Sequence, residues 1–341
     1  MQWVRDAHEI LISEHVISDN AKERIFEVRL RTKQVSAEAS PIAHYSVEYL
    51  ILNAGVLKNS GDYILARTLY SYVLSQKDAH SSDALLGVGQ CQFLLGDVAS
   101  AYTYFQQALE LAPSVQAYLW LAKCHSANGK DLLAIETLGR IDGLNSEPVE
   151  LVFEYHKLLG NCLLRAGRLS EADEELRLAV ELMPLNDGIR VSLGMLELER
   201  SNSTAALKAF EGALELNPKN IKAIAGLGLV SVANQDYSRA AVQFERALDL
   251  EPKNVTALIQ LICLPGANFD RVALRAERFF ELDPEKNDVR YYFAMWCFAH
   301  SRWAACEKHL TYIIKKTPTH TRAQALFSDL KKKFHKKGDL L

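Results

Sequence analysis

Small residues return along this 341-residue chain at nearly constant intervals, and no other feature constrains the fold as tightly. Ala66, Ala101, Ala134, Ala172, Ala206, Ala240, Val272 and Cys306 are separated by 35, 33, 38, 34, 34, 32 and 34 residues. Four residues after each stands a bulky or aliphatic partner in seven of the eight cases, among them Tyr70, Phe105, Phe210 and Phe244. Three further on comes another packing position, clearest as Ala108, Ala179, Ala213 and Ala247. A step of four and then three returns to one face of an α-helix. A period near 34 built on helical spacing describes a stack of two-helix units, none of which buries its apolar face alone.

The clearest unit is Ile221 to Asn254. Leu227 and Gly228 sit side by side on its first helix, Asn234-Gln235-Asp236 makes the turn, and Ala240, Phe244 and Ala247 line the second helix. Pro252 ends it, because proline lacks the donor and clashes with the preceding turn. This order of residues resembles the tetratricopeptide repeat, a helix–turn–helix of 34 residues. The resemblance extends over most of the chain, at about 47–80, 82–114, 115–148, 153–186, 187–220, 221–254, 255–286 and 287–320. Pro113, Pro184, Pro218, Pro252, Pro284 and Pro318 fall in the terminating slot. It implies an all-α, right-handed α-solenoid of about eight repeats, with first helices lining an inner groove and second helices facing outward.

Two places depart from the pattern. The third repeat lacks both aromatic and proline and ends in Gly139, Asp142 and Gly143, with 149–152 left between frames. The seventh is two residues short and turns through Leu264-Pro265-Gly266-Ala267-Asn268. Three domains are expected: an N-terminal helical cap or extension over 1–40, the repeat array over 41–320, and a capping helix with a basic tail over 321–341. In the first of these, 1–17 and 20–38 read as helices, with Asn20 and Glu23 at capping-box spacing. Ser40-Pro41 marks a helix start.

Catalytic and metal chemistry find little support. The chain has no P-loop, GxGxxG, HExxH or GxSxG, and its histidines follow no register. Cys91, Cys124 and Cys162 fill one slot in three successive units, and Cys306 takes a slot that six repeats give to alanine. Such cysteines read as small buried hydrophobes, so neither disulfide nor metal is expected. The acidic pair Glu174-Glu175 reads as solvated charge. Net charge of −3 gives no basis for nucleic-acid binding by the whole chain. Without an apolar run of spanning length or a secretory leader, the default is a soluble cytoplasmic protein. Lys331, Lys332, Lys333, Lys336 and Lys337 form the one strong charge cluster, able to meet an acidic surface.

The resemblance implies a non-catalytic scaffold, without cofactor, that holds a partner peptide or amphipathic helix in its inner groove. Lys157 and Asn161, one turn apart, Ser192 one repeat on and Lys222 after it resemble the carboxylate clamp of co-chaperone members. Gly226, however, stands where that clamp has arginine, and Ser192 replaces an asparagine. Beside them the groove turns apolar through Met195, Leu229, Tyr291 and Met295, a lining that suits an amphipathic helix. A receptor for a partner's C-terminal carboxylate, or a self-assembly module, are the alternatives.

Overall fold

The computed structural model describes residues 10–12, 28–30 and 44–337. From residue 47 the chain runs as helical hairpins: α1 (Val47–Asn59) with α2 (Tyr63–Gln76), α3 (Ser82–Leu94) with α4 (Val98–Leu111), and α5 (Val115–Ala127) with α6 (Asp131–Leu138). Then follow α7 (Val149–Arg165) with α8 (Leu169–Leu182), α9 (Asp187–Glu199) with α10 (Ser203–Leu216), and α11 (Ile221–Ala233) with α12 (Tyr237–Leu250). The last are α13 (Val255–Cys263) with α14 (Phe269–Leu282), α15 (Asn287–Ala299) with α16 (Trp303–Lys316), and a single helix α17 (Thr321–Lys337). The architecture is an all-α solenoid, and it divides into two compact units, 1–179 and 180–341.

Polar residues at the helix starts set this punctuation. Asp62, Asp97 and Asp236 accept from the N–H of Leu65, Ser100 and Arg239 at 3.2, 3.0 and 3.0 Å, each capping a second helix. Ser81, Asn220 and Asn254 do the same for first helices. Directly before the second-helix cap the chain reverses through a left-handed residue. In the first unit this is Gly61, Gly96, Gly129 or Gly167, a conformation glycine adopts without strain. In the second unit it is Ser201, Gln235 or Ser301, at φ of 59, 60 and 57°.

The eight periodic small residues are all buried, and the ring or branched side chain four residues on fills the space beside them. In the seventh hairpin the order changes: Ala276 is small, and Phe279, three residues later, supplies the buried ring. Glycines on first helices let these rings approach. In the second unit the Phe210 ring lies against both Gly194 and Gly226, where an added Cβ would stand 2.6 and 2.4 Å from it. Such contact leaves no room for a methyl group without repacking. Around this ring gather Val191, Ala206, Ala213, Ala223 and Val230. A larger cluster runs from Ile224 to Leu330 and takes in Phe244, Phe279, Phe293 and Leu310.

Three expectations need correction or restriction. Inside the segment read as two N-terminal helices, Ile10–Ile12 and Val28–Leu30 pair as antiparallel strands, β1 and β2, with Ile10 opposite Leu30 and Ile12 opposite Val28. β-branched Ile10, Ile12 and Val28 favour that extended backbone. Asn20, Glu23, Ser40 and Pro41 lie outside the described residues, and α1 starts at a Ser46 cap. Residues 149–152 are the first turn of α7, entered from Pro148, with Leu151 packed against the cluster of Val115, Leu119 and Leu138. Glu175 is not simply solvated: its carboxylate lies 2.6 Å from His156 Nδ1 on the neighbouring first helix, while Glu174 is exposed.

The irregular seventh hairpin has a local cause. Pro265 disfavours helical backbone at Leu264, which is extended at φ −72°, ψ 126°, so α13 stops after nine residues. Leu264 turns inward and is buried. Phe269, at the start of α14, stacks on Trp296 of α15 at 4.8 Å and 3°.

Candidate functional site

One column of residues shows what the first helices offer. Each member directly follows the residue that seats a first helix on its neighbours, which is small in every hairpin except the seventh, where it is Ile262. In the first unit the column reads Gly55, Gln90, Lys123, Asn161, and in the second Met195, Leu229, Cys263, Met295. The first set is largely polar and the second apolar.

In the first unit a charged cluster surrounds the column. Glu154 of α7 accepts from Lys157 at 3.1 Å and pairs with Lys123 of α5 at 3.1 Å. Burial works against the charged carboxylate, but the two ammonium groups hold the Glu154 carboxyl below its usual range. Lys123 Nζ also lies 4.5 Å from the Trp120 ring, and Lys157 Nζ lies 5.2 Å from the Phe153 ring. Farther along, Lys58 donates to Gln90, itself buried, and burial pushes the Lys58 ammonium below its ordinary value. Lys157 and Asn161 are therefore one turn apart as expected, yet Lys157 is already engaged by Glu154. Glu154 and Trp120 lie outside the repeat's phased positions, and their only signal in the sequence is that each stands three residues before a lysine of the cluster.

In the second unit the expected residues divide by exposure. Ser192 is buried, and its hydroxyl donates to the Gly188 carbonyl at 3.3 Å, so it presents nothing to a ligand. Gly226 faces the Phe210 ring, so an arginine on this backbone would collide with the core instead of reaching outward. A clamp thus lacks its middle and last members. Lys222 is exposed and makes no ion pair among the described residues. Met195 and Leu229 are half-buried, each with part of its side chain on a core cluster. Tyr291 is half-buried with its ring 5.2 Å from that of His320. Met295 is 43% exposed and the adjacent Tyr292, which the sequence reading did not single out, is 46% exposed. Cys263 is exposed as well.

The remaining cysteines behave as filler. Burial pushes the thiols of Cys91, Cys162 and Cys306 up to about 11 and those of Cys124 and Cys297 to about 12, which suppresses the reactive thiolate. Among the described residues no group of three His, Cys, Asp or Glu is placed to hold a metal ion. Nor, among the described residues, is any helix long and apolar enough to cross a membrane.

The sequence matches the tetratricopeptide repeat family model at 54–115 and again at 191–255, one stretch in each unit. The chain carries tetratricopeptide repeats in both units. This array is similar in fold to a chain of the APC/C hetero-tetramer Cut9-Hcn1, at 16% identity and a TM-score of 0.52 over 84% of the present chain. The tetratricopeptide array spans about half the length of that chain, 49%. It is also similar to PilW, a type IV pilus biogenesis factor, at 14% identity and a TM-score of 0.54, covering 64% of the present chain and 98% of PilW. Identities this low speak to fold alone. No curated protein matches the sequence.

Proposed function

We propose that this tetratricopeptide-repeat protein is a non-catalytic scaffold of the cytoplasm that holds an apolar peptide or amphipathic helix against the first helices of its second unit. The observation that carries this reading is the apolar column Met195, Leu229, Cys263 and Met295, which ends on an exposed Met295 beside an exposed Tyr292. Side chains needed only for packing would be buried like Leu196 or Cys297, both at 0%. Methionine adapts to differently shaped apolar partners, and a pre-formed helical surface leaves the ordering cost with the guest. Lys222, exposed on α11, supplies a charge at the edge of the same helix face.

Peptides selected from a displayed random library on the wild-type array would test this by anisotropy titration. The expected outcome is apolar peptides whose affinity falls at least tenfold in Met295→Asp and is unchanged in Leu274→Asp, an exposed position on α14, a second helix. Equal loss in both variants, or none in Met295→Asp, removes the proposal. The carboxylate-receptor alternative is weakened by the buried Ser192 and by Gly226 against Phe210. It would regain ground if amidating a peptide's C-terminus abolished binding. Self-assembly predicts association in sedimentation at micromolar concentration.

A further inference from the structure

Charge is strongly segregated along the chain. Residues 303–341 hold nine Lys or Arg against three Asp or Glu, a net of +6, whereas the remainder carries −9. The structure shows what this basic end does with its apolar side. Ala323 and Leu330 of α17 are buried in the cluster of Leu310 and Ile313, and Leu326 and Phe327 pack against it. α17 therefore spends its apolar face on the last hairpin and leaves Arg322, Lys331, Lys332 and Lys333 exposed. Lys315 and Lys316, at the end of α16, are exposed too. Lys316 pairs with Glu285 at 3.3 Å and Lys332 with Asp329 at 3.0 Å. Lys315, Arg322, Lys331 and Lys333 meet no carboxylate among the described residues.

We infer that this end of the tetratricopeptide array is a peripheral docking surface for an anionic lipid bilayer, bound by charge without insertion. A protein partner would need a desolvated anchor at the centre of its footprint. The nearby rings are instead covered by lysines: Lys331 Nζ lies 4.6 Å from the Phe327 ring, and Lys333 Nζ 4.6 and 5.1 Å from those of Phe298 and Trp303. The same cover denies a single-stranded nucleic acid the free ring faces on which bases stack. Six of the seven cations at 308–333 are lysines, compact point charges without the bidentate fork that reads phosphate or base edges. A planar anionic surface asks for none of these devices. Spread charge suffices, each lysine adding its share near the membrane.

Vesicle flotation with the full chain tests the inference. The probes are phosphatidylcholine vesicles with and without 30% phosphatidylserine, at low and at ~0.5 M salt, where the attraction is screened. The expected result is flotation with phosphatidylserine vesicles only, lost in high salt. In Lys331→Gln/Lys332→Gln/Lys333→Gln, affinity should fall on the order of 100-fold, with helical circular dichroism unchanged. Lys315→Gln/Arg322→Gln, which touches no ring or ion pair, should show a smaller loss of the same sign. The inference fails if phosphatidylserine gives no advantage, or if both variants float like wild type. It also fails if a single-stranded oligonucleotide or polyglutamate is bound more tightly than the vesicles.

Discussion

Gln235 and its counterparts Ser201 and Ser301 show how much a single backbone position decides. All three occupy the left-handed region, where a Cβ costs roughly 1–2 kcal/mol, at the turn that the first unit gives to glycine. Gln235→Gly removes that strain but adds freedom to the unfolded chain. The balance should raise stability by about 0.5–1 kcal/mol, read as a higher urea midpoint; a lower midpoint would show that the Gln235 side chain holds the turn. Periodic small residues were legible at this scale because each reports its own burial, from Ala66 to Cys306. Ser192 and Gly226 were not. Their environments are set by the Gly188 carbonyl and by Phe210 of the preceding repeat, and sequence alignment to a clamp says nothing about which way those positions face.

Between elements, α14, α15 and α16 enclose the most unusual buried polar group. The Arg290 guanidinium is sandwiched between Phe280 at 4.2 Å and Tyr312 at 4.1 Å, and its Nη1 lies 3.3 Å from His309 Nδ1. That nitrogen must accept, which leaves the imidazole proton on Nε2, 3.3 Å from Glu277 Oε1. Burial pushes the His309 imidazolium down to about 4; Arg290 on α15 and Lys308 on its own helix reinforce this, while Glu277 on α14 opposes it. Below the ordinary value of 6.5 the unfolded imidazole takes up a proton that the folded one refuses until about 4. Stability contributed here is thus complete above pH 6.5 and is lost as pH falls toward 4, by on the order of 2–3 kcal/mol. Comparing wild type with His309→Gln in denaturant titrations from pH 7.5 to 4 isolates it. Parallel losses in the two proteins would show that other groups carry the acid sensitivity. No local pattern announced this cluster, because Glu277, Arg290 and His309 come from three helices and meet only when these stack. Helix ends, by contrast, were written locally, as Pro265 shows by stopping α13.

Across the whole molecule, a solenoid distributes stability differently from a globule. Each hairpin gains most from the neighbours it touches, so energetic damage ought to stay near its source. Gly226→Ala offers a sharp probe, because the added Cβ would stand 2.4 Å from the Phe210 ring. Overpacking at such a site costs about 1–3 kcal/mol, partly offset by alanine's better helix propensity. Hydrogen exchange followed by mass spectrometry should show faster exchange in α9 to α11, which surround that ring. Amides of α3 to α5 in the first unit should keep their protection. A uniform rise along the chain would mean that the repeats unfold as one cooperative body. In that event a partner held on the second unit's first helices would stabilise every hairpin alike. If the damage stays local, the guest protects chiefly the repeats it touches, and the pattern of protection on binding maps its footprint directly onto Met195, Leu229 and Met295.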